Sequence, residues 1–199
     1  MAACQSLSQC VALLGMAQQN LGATLTGFEV MNQFSLSLVA THMPALKQPL
    51  PPSPWTVLLE VSDHESETHA RGQFERLLEI ALDQGVIHDA AVAQTIAQSK
   101  TMWHLRESIP LAQAQEGLNI KHDVSLPVSR IDSFCDTAMA AMMQAVPGIR
   151  LVNFGHLGDG NLHFNVQAPE GIDPTACLRT QESQINALVY DAVGAHGGS

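Results

Sequence analysis

The sequence predicts an α+β fold, a mostly antiparallel sheet with helices packed on one face. Three observations carry this expectation. Trp55-Thr56-Val57-Leu58-Leu59-Glu60-Val61 is an unbroken run rich in β-formers, continuous enough to be buried on both faces. Two further apolar runs, Leu151 to Phe154 and Leu162 to Val166, flank a Gly-Asp-Gly centre and read as short antiparallel strands joined by a tight turn. The stretches around them carry apolar residues at helical spacing.

The elements follow in order. Val11, Leu13, Leu14 and Met16 suggest a first helix that Gly22 ends. Phe28 to Asn32 follows, and Met31, Phe34, Leu38 and His42 then recur near helical spacing. Leu46 to Pro54 holds four prolines and reads as an extended connection into the Trp55 strand. Phe74, Leu77, Leu78, Ala81 and Leu82 predict an amphipathic helix over Ala70–Gln84, stopped at Gly85. A second helix is expected from Ala90 to about Arg106, with Ile96 and Trp103 two turns apart. Leu118 to Val124 reads as a strand, and Pro127 marks the first turn of a long helix. Its apolar face is Ile131, Phe134, Cys135, Ala138, Met139, Met142 and Val146, with the methionines as core filler. After the hairpin, a last helix from about Pro174 to Ala195 rests on Leu178, Ile185, Leu188, Val189 and Ala192. No internal repeat or second domain boundary is visible, so residues 1–199 read as one domain.

Composition narrows the partners. At 199 residues, 46% hydrophobic and 14% charged, the chain can bury a sizeable core. A net charge of -10, from 9 Lys+Arg against 19 Asp+Glu, argues against nucleic acid or an anionic membrane, both of which are bound through clustered cations. The scarcity of cations makes each remaining one more informative. Cys4, Cys10, Cys135 and Cys177 form no C-x-x-C pair, so reduced thiols in a cytoplasmic protein are the simplest expectation. No apolar run approaches the roughly 18 residues of a membrane span, and no basic n-region opens the chain.

The hairpin holds the most chemistry. If Leu157 and Leu162 close a four-residue loop, His156 and His163 face one another, with Cβ atoms roughly 4.5 to 5.5 Å apart. Two imidazoles at that distance can share a divalent metal, zinc being the usual choice, although zinc wants three or four ligands. Strand alternation adds Asn165 to the face of His163. The competing reading is a glycine-rich hairpin whose histidines only pack or hydrogen-bond.

The full string Gly155-His156-Leu157-Gly158-Asp159-Gly160-Asn161-Leu162-His163-Phe164-Asn165 resembles the signature of the FAD-linked oxidase C-terminal domain family. Trp103 to Pro110 and the Lys-x-Asp-x-Ser-Leu-Pro pattern of Lys121 to Pro127 resemble it too, and the likeness runs from about Leu21 to Ser199. The resemblance implies a ferredoxin-like α+β domain on the substrate side of a flavin-dependent D-2-hydroxyacid dehydrogenase, with a D-2-hydroxyglutarate or D-lactate type of substrate. It implies Arg106, Lys121 and Asn165 as substrate contacts, Arg106 and Lys121 to carboxylates, and His156 and His163 as metal ligands. A planar guanidinium suits a carboxylate, and an ammonium adds a point charge; the competing reading of Arg106 is an ion pair with a nearby acid. Pro110 stands where some relatives carry a hydroxyl that touches substrate, so one polar contact is missing.

The family's third metal ligand and its base come from a Ser-x-Glu-His-Gly segment. His196-Gly197-Gly198-Ser199 looks like the residues just before it, so the catalytic His is expected beyond Ser199. The FAD is expected mainly on an N-terminal domain that this sequence does not contain, since nothing before Leu21 offers a glycine-rich pyrophosphate loop. The partner is then a small 2-hydroxy acid, and a homodimer is compatible with this reading. The alternative is a non-catalytic binding module of the same fold.

Other motifs are weaker. Asp63-His64-Glu65-Ser66-Glu67-Thr68-His69 mimics a zincin, but its histidines are not at i, i+4, and a polar loop before a helix is the better reading. Gly158-Asp159-Gly160 lacks the third glycine and helix of a dinucleotide fingerprint. His42, His88, His104 and His196 show no partners in sequence and read as solvated or satisfied core histidines.

Overall fold

The computed structural model describes residues 1–199. Eight strands form one sheet: β1 (Ala2–Cys4), β2 (Leu25–Asn32), β3 (Trp55–Val61), β4 (Asp89–Ala90), β5 (Asn119–Ile120), β6 (Asp123–Ser125), β7 (Arg150–His156) and β8 (Asn161–Gln167). The spatial order is β4-β1-β3-β2-β7-β8-β5, with β6 also paired to β8, and every pairing is antiparallel. The helices are α1 (Leu7–Leu21), α2 (Gln33–His42), α3 (Glu67–Asp83), α4 (Ile96–Glu107), α5 (Ile109–Glu116), α6 (Ile131–Ala145) and α7 (Pro174–Ala195). The expected α+β class with an antiparallel sheet is what the chain adopts. No helix is long and apolar enough to cross a membrane.

Strand alternation sends Phe28, Val30, Val57, Leu59, Leu162, Phe164 and Val166 to one face, where α1, α3, α6 and α7 complete a core of 37 buried residues. That is the helical layer the sequence predicts, but the expectation of helices on one face only is corrected by a second layer on the other. Phe134 of α6 tilts against Phe164 with ring centroids 5.0 Å apart. The other face carries Met31, Leu58, Val152 and Phe154 under a smaller cap of α2, α4 and α5, a core of 14. The second core matters because its sheet face also holds the polar residues discussed below.

Local chemistry sets the ends of the elements. Ser6, Asn32, Ser66 and Thr95 cap α1, α2, α3 and α4, each side chain accepting a backbone N–H three residues on. The helix expected from Ala90 starts instead at Ile96, because Asp89–Ala90 pair with β1. It ends at Glu107, and α5 follows after the single cap residue Ser108, with Pro110 in its first turn. The Asp63–His69 stretch is an exposed loop and cap, in which Asp63 and His69 pair at 2.6 Å.

The far edge is split. β5 and β6 pair with β8 in one continuous register, Asn119 opposite Gln167 and Asp123 opposite His163. Between them the Asn165 side chain takes the N–H of His122 at 3.1 Å, so the ladder breaks at Lys121–His122 without a shift.

His42, expected to lack a partner, joins a clasp between the cap and the sheet. Its Nε2 lies 2.9 Å from Glu116, which also accepts from Arg150 Nη1 at 2.6 Å. The side-chain hydrogen bond from His42, then that from Arg150, hold the Glu116 carboxyl below its ordinary value of 4.5. A lowered folded-state pKa stabilises the fold above the unfolded value and the gain disappears as pH falls through the folded one. Glu116→Gln should therefore lower stability by about 1–2 kcal/mol at pH 7. The gap from wild type should close below pH 4.5, read from urea midpoints across pH.

Candidate functional site

The site grows from the pairing of β2, β7 and β8 on the second sheet face. Registers place Met31, Phe154, His163 and Asp123 in one row, and Glu29 and His156 in the next. The expected pairing of His156 with His163 is corrected here: Phe154 lies opposite His163, and His156 lies opposite Glu29 of β2. The loop keeps four residues but lies one position earlier than expected, at Leu157–Gly160: Leu157–Asp159 wind into a 3-10 turn and Gly160 reverses the chain at φ 77°, which shifts the register. The two histidines still share a face, but on a diagonal, which for neighbouring strands is about 7–8 Å.

Arg106 reaches this face from the last turn of α4. Its Nε donates to Glu29 Oε2 at 2.8 Å, and its guanidinium carbon lies 4.8 Å from the centroid of the Phe154 ring. Phe154 in turn lies against the His163 imidazole, centroids 4.6 Å apart. The ion pair is not a surface one, since Glu29 is fully buried and Arg106 is 9% exposed. The Nη groups of Arg106 make no hydrogen bond to the protein and are not among its buried unpaired atoms, so they form the open end of the fork.

Both imidazoles meet a carboxylate through Nδ1: His156 faces Glu29 Oε1, and His163 lies 2.5 Å from Asp123 Oδ1. A histidine whose Nδ1–H is held by a carboxylate presents a bare Nε2, the state a metal ligand needs. The pair thus fits metal ligation in orientation but not in number. No group of three or more His, Cys, Asp or Glu is gathered in a way that could hold an ion, so the expected metal centre is not built by these residues alone.

Asn165 is 4% exposed and already committed. Its Oδ1 accepts from His122 N at 3.1 Å, and its Nδ2 donates to Gln113 Oε1 at 3.0 Å. Lys121 sits exposed at the edge break, opposite Asn165 in register, and makes no ion pair. The structure therefore brings Arg106, His156 and His163 together through Glu29 and Phe154, with Asn165 two residues along β8 from His163 and Lys121 on the adjoining edge.

The site opens to solvent; His156 is 56% exposed and borders a groove of about 360 Å³ beside α1. A more apolar cleft of about 340 Å³ between β3, α3 and α4, lined by Phe74, Met102 and Trp103, holds none of the predicted site residues. The four cysteines are free, and burial pushes the Cys135 thiol up to about 12, which removes it as a nucleophile.

Glu29, Phe154 and Asp123 were not singled out by sequence. Glu29 had a signal: a carboxylate inside the apolar run Phe28-Glu29-Val30-Met31 must find a cation or donor once that run is buried.

The description "FAD linked oxidases, C-terminal domain" matches residues 1–199. The mitochondrial D-2-hydroxyglutarate dehydrogenase of Arabidopsis thaliana is 32% identical over 197 residues, 99% of this chain and 34% of the relative. That of Rattus norvegicus is 33% identical over 166 residues, 83% of this chain and 30% of the relative. The D-2-hydroxyglutarate dehydrogenase of Xanthomonas citri pv. viticola is 33% identical over 148 residues, 73% and 30%. The chain spans about a third of the length of these relatives. The cytoplasmic expectation is overturned: the plant and rat relatives are mitochondrial, which points away from the cytoplasm. The missing basic leader carried no information, because a chain covering a third of its relatives need not include their first residues. A match along the whole chain, with these relatives beside it, shows that the protein belongs to the FAD linked oxidases, C-terminal domain, family.

Proposed function

We propose that this chain is the substrate-side domain of a flavin-dependent dehydrogenase that oxidises a D-2-hydroxy acid to the 2-oxo acid. The leading substrate class is a 2-hydroxydicarboxylate such as D-2-hydroxyglutarate, after the names of the relatives. The observation that carries the reading is the Arg106 fork, held by Glu29 on one edge, clamped over Phe154, and open beside two carboxylate-oriented imidazoles.

The open Nη edge of Arg106 donates bidentately to one substrate carboxylate. Lys121, two strands away, supplies a point charge for the second, and the spare Nδ2 hydrogen of Asn165 is the remaining contact on that line. Holding both ends fixes C2 over the face of β7 and β8, which is the orientation that hydride transfer needs. Flavin, when bound, supplies the hydride acceptor, and no residue of this chain is assigned to it. His156 and His163 are proposed as two nitrogen ligands of a divalent metal, zinc by donor type, with Nε2 of each toward the 2-hydroxyl. Such an ion would lower the hydroxyl pKa, and its third ligand, like the base, is the one the resemblance assigns to the Ser-x-Glu-His-Gly segment.

The test is flavin reduction by D-2-hydroxyglutarate, D-lactate and D-malate in the FAD-containing protein, with and without a chelator. Chelator-sensitive reduction by one D-acid, abolished in His163→Ala with flavin retained, is expected. Full turnover in His163→Ala would remove the metal role, and no reduction by any of the acids would favour a non-catalytic binding module.

A further inference from the structure

We infer that Glu29 is the positioning residue of this site, a single buried carboxylate that fixes the Arg106 guanidinium with one oxygen and the His156 tautomer with the other. The inference rests on the substrate-side reading above and adds a residue to it. Glu29 has no exposed surface, and strand pairing holds it between Leu58 of β3 and His156 of β7. A carboxylate in such a place is ionised only if its partners compensate for the lost water.

Its Oε2 has that partner in Arg106 Nε, at 2.8 Å. Taking the Nε edge leaves the two Nη groups as a free terminal fork, and the Phe154 ring fixes the plane in which that fork lies. Oε1 is different: it faces Nδ1 of His156 yet has no hydrogen bond of regular geometry. A buried acceptor beside a ring nitrogen selects the tautomer that places hydrogen there. His156 therefore carries its proton on Nδ1 when neutral, and Nε2 is left as a lone pair on the exposed side of the ring. One side chain thus couples the group that grips a carboxylate to the group that meets the hydroxyl end.

The tautomer can be read in this chain without flavin, metal or turnover, from the imidazole ¹⁵N shifts of His156 at a pH where the ring is neutral. The expected wild-type pattern is a protonated Nδ1 and an unprotonated Nε2. In Glu29→Gln the amide can turn its NH₂ toward the ring, and the pattern should move toward the Nε2–H form. A wild-type ring protonated on Nε2, or a pattern unmoved in Glu29→Gln, would overturn the inference. Should the variant fail to fold, the wild-type pattern alone still decides.

In the FAD-containing protein, Glu29→Gln should reduce kcat/KM for the responding D-acid by about 10–100-fold. Arg106→Lys should add little on top of it, because both act through one fork. Independent, multiplying effects would count against the coupling. If no D-acid is oxidised, the dehydrogenase reading fails while the tautomer result stands by itself, so the two failures are separable.

Discussion

Gly160→Ala should pull the edge strand β6 away from the β7–β8 loop and lower stability by on the order of 4–5 kcal/mol, among the larger effects a point change produces. Gly160 holds φ 77° and ψ 12°, where an alanine is strained by about 1–3 kcal/mol. A Cβ there would also sit 2.0 Å from the backbone oxygen of Leu126, and a backbone atom cannot rotate out of the way. The same residue's carbonyl accepts from Leu126 N at 3.0 Å, so relieving the clash breaks the bond that ends β6. Gly158 is the control two residues away: a Cβ there meets nothing within 4 Å, so Gly158→Ala should be nearly neutral. Urea midpoints of the two variants side by side measure this, and equal midpoints would show that the close approach is not real.

Arg106 is the second position at which a single change should be felt strongly, and the two obvious substitutions separate its roles. Arg106→Ala leaves Glu29 as a buried charge without its partner, which is expected to destabilise the fold by about 3–5 kcal/mol. Arg106→Lys keeps the charge near Glu29 but replaces a planar fork with a point donor. Its fold should largely survive while kcat/KM for the responding D-acid falls roughly 10–100-fold, the worth of one or two charge-assisted hydrogen bonds. A lysine variant as active as wild type would mean that Arg106 serves only the ion pair. Measuring the urea midpoint with the kinetics keeps the two effects apart.

What could be read from sequence depended on whether an element announces itself locally. An unbroken apolar run located β3, and helical periodicity located α3, α6 and α7, because each helix buries a long regular face. β1 and β4 are three and two residues long and carry no period, so nothing marked them. The misplaced start of α4 has the same origin, since only the pairing of Asp89–Ala90 with β1 withholds those residues from a helix. The histidines were legible as functional candidates, but their mutual placement was not. It depends on the 3-10 turn at Leu157–Asp159 and the left-handed Gly160, which place the four-residue loop one position earlier than the Gly-Asp-Gly centre suggests. Arg106 was legible through resemblance, whereas its partner Glu29 lies 77 residues away in sequence and becomes its neighbour only when α4 folds over β2.

The split edge strand has a consequence for how copies of this chain behave in a crowded solution. A long, flat edge offers a row of open N–H and C=O groups on which another chain can crystallise as one more strand. Here one border of the sheet is the two-residue β4, and the other is broken by Asn165 into β5 and β6 with an exposed lysine at the gap. Neither border gives a template long enough to nucleate growth. The interruption that carries Lys121 outward also helps protect the fold from edge-to-edge aggregation.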